Sequence, residues 1–121
     1  MTRHMAHGRE SGRRDWLLER GTALLLLLLV PWLGLHLAFL PGLSQAHLAD
    51  WLHAPINAMA LASLILMAAL HASLGLRSIL MDYIATPSLR ALSLLITRSL
   101  LVFSAVIGLG AIWLLRTGAT P

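Results

Sequence analysis

The chain has 121 residues, no Cys, 58% hydrophobic residues and only 12% charged residues, a balance that a water-soluble domain of this size could not keep soluble, so lipid is its solvent. All nine basic residues are Arg against five acids, net +4, but the arginines flank and punctuate apolar runs instead of gathering with aromatics on one face. They act as topology signals and membrane-surface contacts, which excludes a nucleic-acid surface. Without Cys there are no disulfides, no thiolate zinc or iron–sulfur ligation and no thiol catalysis, and any metal needs His or carboxylate.

Residues 1–19 are polar and form an expected cytoplasmic tail, which includes His4 and His7. The tail is expected to be retained, because the apolar run after it is too long for a signal-peptide core and no small-x-small cleavage site follows. A first membrane helix is predicted over about residues 20–40, whose only strongly polar member before His36 is Thr22. Roughly 20 apolar residues make ~30 Å of helix, enough to cross the hydrocarbon core. Pro31 predicts a mild kink, and Pro41-Gly42 ends the helix.

Residues 43–54, with Ser44, Gln45, His47, Asp50 and His53, read as a short connection whose Leu48, Trp51 and Leu52 can lie among headgroups. Pro55 suits the first turn of a second helix, predicted over about 55–80 and ending before Asp82. A third helix is predicted over about 89–115, with Ser88 as its expected cap and Trp113 at its far end. Together these make one all-α domain of three transmembrane helices.

Eight of the nine arginines fall on one side of the membrane if the N-terminus is cytoplasmic, and the connection between the first two helices has none. The bias predicts a cytoplasmic N-terminus and Asp82 loop, and a C-terminus outside.

Ionisable groups inside a span are costly and mark candidate functional sites. His71 lies deep in the second helix, where a neutral imidazole is either an axial haem ligand or a hydrogen-bond partner for a neighbouring helix. At about 100° per residue, Gly75 and Asp82 share the face of His71. A glycine one turn away leaves room for a flat macrocycle, or for close helix packing. Asp82-Tyr83 end the helix about 16 Å from His71. A tyrosine hydroxyl backed by a carboxylate is a sensible donor to a quinone carbonyl, because reduction develops negative charge on that oxygen. The same pair equally suits a helix terminus with an interfacial tyrosine. Arg20, opening the first helix, suits haem propionates through charge-assisted bonds, or anchors the helix in the headgroups. His36, His47 and His53 read as interfacial.

The stretch from His71 through Gly75 and Arg77 to Asp82-Tyr83 resembles the signature of the small hydrophobic membrane anchor of succinate dehydrogenase, respiratory complex II: His, three residues, Gly, then Asp-Tyr near the cytoplasmic surface. Trp16 to Thr22, with Arg20 followed by Gly-Thr-Ala, also looks like that family's first-helix opening, although Glu19 departs from the usual residue before the arginine. The larger cytochrome b anchor of the same complex is distinguished by a Ser-Pro-His segment and a first helix opening with Ser and His-Arg, both absent here.

The resemblance implies an all-α subunit of a larger heteromeric helix bundle in a bacterial inner membrane. It would bind a flavoprotein, an iron–sulfur subunit and a cytochrome b subunit, serving electron transport and the tricarboxylic acid cycle. This chain would not oxidise succinate itself. It would supply His71 as one axial ligand to the iron of a haem b shared with the cytochrome b subunit, place Arg20 near the propionates, and contribute Tyr83, positioned by Asp82, to the ubiquinone pocket. The competing class is a cofactor-free three-helix assembly or regulatory protein. An ion pathway through Asn57, Ser63, His71 and Arg98 is disfavoured, since these residues share no single helix face.

Overall fold

The computed structural model describes the backbone of residues 2–118, with side chains from residue 10 onward, so His4 and His7 lie outside the described side chains. It is all-α: α1 (Thr2–Ala38), α2 (Gln45–His53), α3 (Pro55–Tyr83) and α4 (Pro87–Thr117). Three stretches are long and apolar enough to cross a membrane: Glu10–Ala38, Pro55–Tyr83 and Pro87–Thr117. The chain is a multi-pass membrane protein of the expected fold class.

Four boundaries differ from the sequence reading. Helix α1 is continuous from Thr2, so residues 2–19 are helical where a tail was expected. Polar and charged residues such as Arg and Glu are good helix formers, and nothing between Thr2 and Leu18 breaks the run. Pro31 lies inside α1 without interrupting it. The connection holds a helix of its own, α2, whose N-cap Ser44 accepts from the His47 backbone N–H. Helix α3 runs past Asp82 to Tyr83, and α4 opens with Thr86 at its N-cap and Pro87 in the first turn, so Ser88 lies inside the helix and does not cap it. Proline is well placed there, since its missing N–H would have no intrahelical acceptor.

Helix α3 is the centre of the fold. It packs against α1 on one side and α4 on the other, while α1 and α4 share no packing among the described residues. The short α2 folds back against α3 and α4. The buried apolar residues among those described are Leu52, Ala58 and Ile112, surrounded by Trp51, Leu61, Ile65 and Leu109, so the apolar core lies at the Arg-poor end. There Asn57 donates from its side-chain amide to the Trp51 carbonyl at 2.8 Å, which ties the end of α2 to the start of α3. Helices α3 and α4 approach closely: a Cβ at Gly108 would stand 3.0 Å from Ile65 Cδ1. Most other large apolar side chains are exposed, including Leu27, Leu28, Phe39, Ile56, Leu95 and Phe103. In lipid this costs nothing, because acyl chains are as apolar as leucine, and helices associate instead through close packing and polar bonds.

Candidate functional site

Among the described residues two side-chain bonds join α1 to α3, and the one deeper in the spans is made by Thr22 and His71. Thr22 is only 4% exposed, and its Oγ1 lies 3.0 Å from His71 Nδ1. The same hydroxyl lies 2.7 Å from the Leu18 carbonyl and 3.1 Å from the Glu19 carbonyl of its own helix. A hydroxyl has one proton and a carbonyl only accepts, so the shortest contact assigns that proton to Leu18. Thr22 then accepts from His71, whose Nδ1 carries the imidazole proton and whose Nε2 carries the lone pair. Among the described residues Nε2 has no partner. The result is a half-buried imidazole whose Nδ1 is held by a threonine that is itself fixed to its helix.

Gly75 lies one turn further along α3, and nothing stands within 4 Å of where its Cβ would be. The helix beside His71 is therefore open on the face that the two residues share. Among the described residues no three His, Asp or Glu side chains gather into a metal-binding group.

Asp82 and Tyr83 occupy the last turn of α3, at the Arg-rich end, and both are exposed, Tyr83 by 84%. Neighbours on a helix diverge by about 100° and do not face each other. Accordingly they make no hydrogen bond to one another among the described residues, and the Tyr83 hydroxyl is open to a partner from outside the chain. Three residues, 84–86, link α3 to α4, and Arg90 Nε donates to the Ile84 carbonyl at 2.8 Å, which steadies this turn beside Tyr83.

Arg20 is exposed and lies over the Trp16 ring, its guanidinium carbon 5.8 Å from the centroid. It is about 200° around α1 from Thr22, so it is not on the seam that holds His71. The structure thus brings His71 together with Thr22, places Gly75 beside it, and sets Arg20, Asp82 and Tyr83 apart at the Arg-rich end.

Two contacts were not anticipated from the sequence. Thr22 stood out only as the polar residue of an apolar run. Arg77 Nη1 donates to Asp15 Oδ2 at 3.1 Å, a second tie between α1 and α3 on the same side as Asp82. Both side chains are 45% exposed, and such pairs contribute about 0.2–1 kcal/mol in water. No local pattern relates residues 62 positions apart; only the antiparallel course of α1 and α3 does. The polar residues of the disfavoured ion pathway do not line up either: Asn57 is used in tying α2 to α3, His71 faces α1, and Arg98 lies exposed on α4.

Fold and site define a three-span α-helical membrane protein whose central helix presents one oriented imidazole within the span and an open tyrosine at its end. The sequence profile of the succinate dehydrogenase/fumarate reductase transmembrane subunits matches residues 1–110, and the chain belongs to that family. It is similar to the succinate dehydrogenase hydrophobic membrane anchor subunit of Rickettsia bellii, 35% identical over 82 residues that cover 67% of this chain and 65% of the relative.

Proposed function

We propose that this chain is the small membrane anchor of a bacterial succinate:quinone oxidoreductase. It docks the flavoprotein and iron–sulfur subunits to the membrane beside a cytochrome b subunit, and His71 would supply this chain's ligand to the iron of a haem b shared with that subunit. The observation that carries this reading is the Thr22–His71 bond. Ligating histidines almost always donate their second ring N–H to an acceptor, which fixes the tautomer and raises the basicity of the ligating nitrogen. Thr22 is such an acceptor, Nε2 is left free, and Gly75 leaves the adjacent backbone uncovered. Haem b, when bound, supplies a one-electron relay inside the membrane. Arg20, exposed about 200° around α1 from Thr22, would reach the propionates only from outside the seam that holds His71.

Tyr83 is the donor to a ubiquinone carbonyl. Its hydroxyl makes no bond among the described residues, and a donor to that oxygen strengthens as negative charge develops during reduction. Asp82, exposed beside it, serves as a proton-carrying carboxylate at the membrane surface. The arginine bias sets the Asp82-Tyr83 end in the cytoplasm, next to the subunits that deliver electrons.

The test is the spectrum of the complex purified in mild detergent from wild type and His71→Ala. Loss or a marked shift of the b-type absorption is expected while flavoprotein and iron–sulfur subunits still co-purify. An unchanged spectrum and midpoint potential would remove His71 from the ligand set, and failure of those subunits to co-purify with wild type would place the chain in another assembly. Orientation is checked separately: a reporter at Ala85 should be cytoplasmic and one after Pro121 periplasmic, and the reverse would invert every assignment of side.

A further inference from the structure

Arg98 is outside the haem and quinone assignments above, yet it is a charge inside the third span. Helix α4 has 31 residues, about 46 Å, against a hydrocarbon core of about 30 Å, so it projects beyond the core at its ends. Arg98 lies 11 residues after Pro87, about 16 Å from the Arg-rich end, which puts its Cα inside the hydrocarbon. Side chains on a helix lean toward its N-terminus, here the Arg-rich surface, and a long arginine stem can lift its guanidinium to the headgroup level. The side chain is exposed and has no hydrogen bond or ion pair among the described residues. At the headgroup level such a cation is stabilised by water or by an anion from outside the chain.

Two shallow apolar furrows on the protein surface are bordered by Arg98. One, of about 440 Å³, runs between α3 and α4 along Leu66, Leu70, Leu101 and Ala105. The other, of about 450 Å³, runs over the outer face of α4 past Ser99 and Phe103. Arg98, Val102 and Val106 border both, so the two valines form a ridge dividing furrows that share one cation. A partner helix, about 10–12 Å across, could bring a carboxylate to Arg98 but would seat in one furrow and leave the other open. One anionic head with two apolar chains matches the whole feature.

We propose that Arg98 and these furrows form a binding site for one anionic diacyl phospholipid, its phosphate on the guanidinium and the Ser99 hydroxyl, and one acyl chain on each side of the Val102–Val106 ridge. The site is independent of the haem and quinone reading. It is tested on the whole detergent-purified complex by native mass spectrometry, comparing retained phosphatidylglycerol with phosphatidylcholine of the same acyl chains. Wild type should prefer phosphatidylglycerol, Arg98→Lys should keep most of that preference, and Arg98→Gln should reduce it roughly fivefold, the share of one basic group near an anionic surface. Ala105→Phe, which fills the inner furrow and spares the charge, should also lower phosphatidylglycerol retention. If Arg98→Gln assembles and retains phosphatidylglycerol like wild type, the proposal falls. It falls equally if that variant sheds a protein subunit with lipid retention unchanged, since the anion is then a partner's carboxylate. Should Arg98→Gln not assemble, undiminished retention in Ala105→Phe overturns the site.

Discussion

The two ends of the helix bundle are built on different principles. At the Arg-poor end Leu52, Ala58 and Ile112 are buried against each other, α2 is tied to α3 through Asn57, and Trp32, His36 and Trp51 stack with ring centroids 4.4–6.0 Å apart. His36 even satisfies its Nδ1–H on the Trp32 carbonyl of its own helix, at 2.9 Å. From mid-span to the Arg-rich end the ties between α1 and α3 are polar, and among the described residues His71 Nε2, Asp82 and the Tyr83 hydroxyl have no hydrogen-bond partner. The contrast separates two tasks: one end holds the helices together by shape, and the other exposes the polar groups to which the proposed function assigns haem and quinone roles.

The largest effect is expected at the packed end. Gly108→Leu forces a branched side chain into the space of Ile65, and overpacking of this kind costs roughly 1–3 kcal/mol. The thermal midpoint of the detergent-solubilised complex should fall by several degrees while the haem spectrum of the surviving complex stays unchanged. A spectral change with no loss of stability would break the division between the two ends.

Thr22→Val tests the polar end with almost no change in shape. It removes the acceptor for His71 Nδ1–H, so the imidazole loses its fixed tautomer. Loss of such a supporting partner typically costs about 10–100-fold in metal affinity. Haem should therefore be lost more readily during purification and its midpoint potential should move, with assembly retained. Thr22→Ser keeps the hydroxyl and should restore both, a rescue that a purely packing role for Thr22 would not give.

The smallest of the three effects belongs to Tyr83→Phe. Removing one donor to a buried oxyanion costs about 10²–10³ in rate, and a site as open as Tyr83 should lose less, about tenfold. Quinone reduction should drop while succinate oxidation with a soluble electron acceptor stays nearly constant. Equal loss of both would make Tyr83 a docking residue for the other subunits, and no loss in either would leave it an interfacial anchor.

Much of this protein follows from local pattern. Hydropathy over windows of about 20 residues suffices for the three spans, since each helix satisfies its own backbone and lipid demands only that the side chains be apolar. Helical periodicity placed His71, Gly75 and Asp82 on one face of α3, because that relation needs only an unbroken helix, and α3 does continue to Tyr83. The ends were less legible: residues 2–19 and 45–53 are helical although their polarity read as tail and connection, because polarity reports the solvent of a segment and not its backbone conformation.

What the tertiary structure alone decided is which side chains meet. Thr22 and His71 are 49 residues apart, and Asp15 and Arg77 are 62 apart. These pairings depend on α1 lying against α3 in a particular register and rotation, with α4 on the opposite side of α3. In a bundle whose faces are almost uniformly apolar, hydropathy does not distinguish one rotation from another. That choice is made by close contacts such as Gly108 against Ile65 and by the few polar atoms that must find partners away from water.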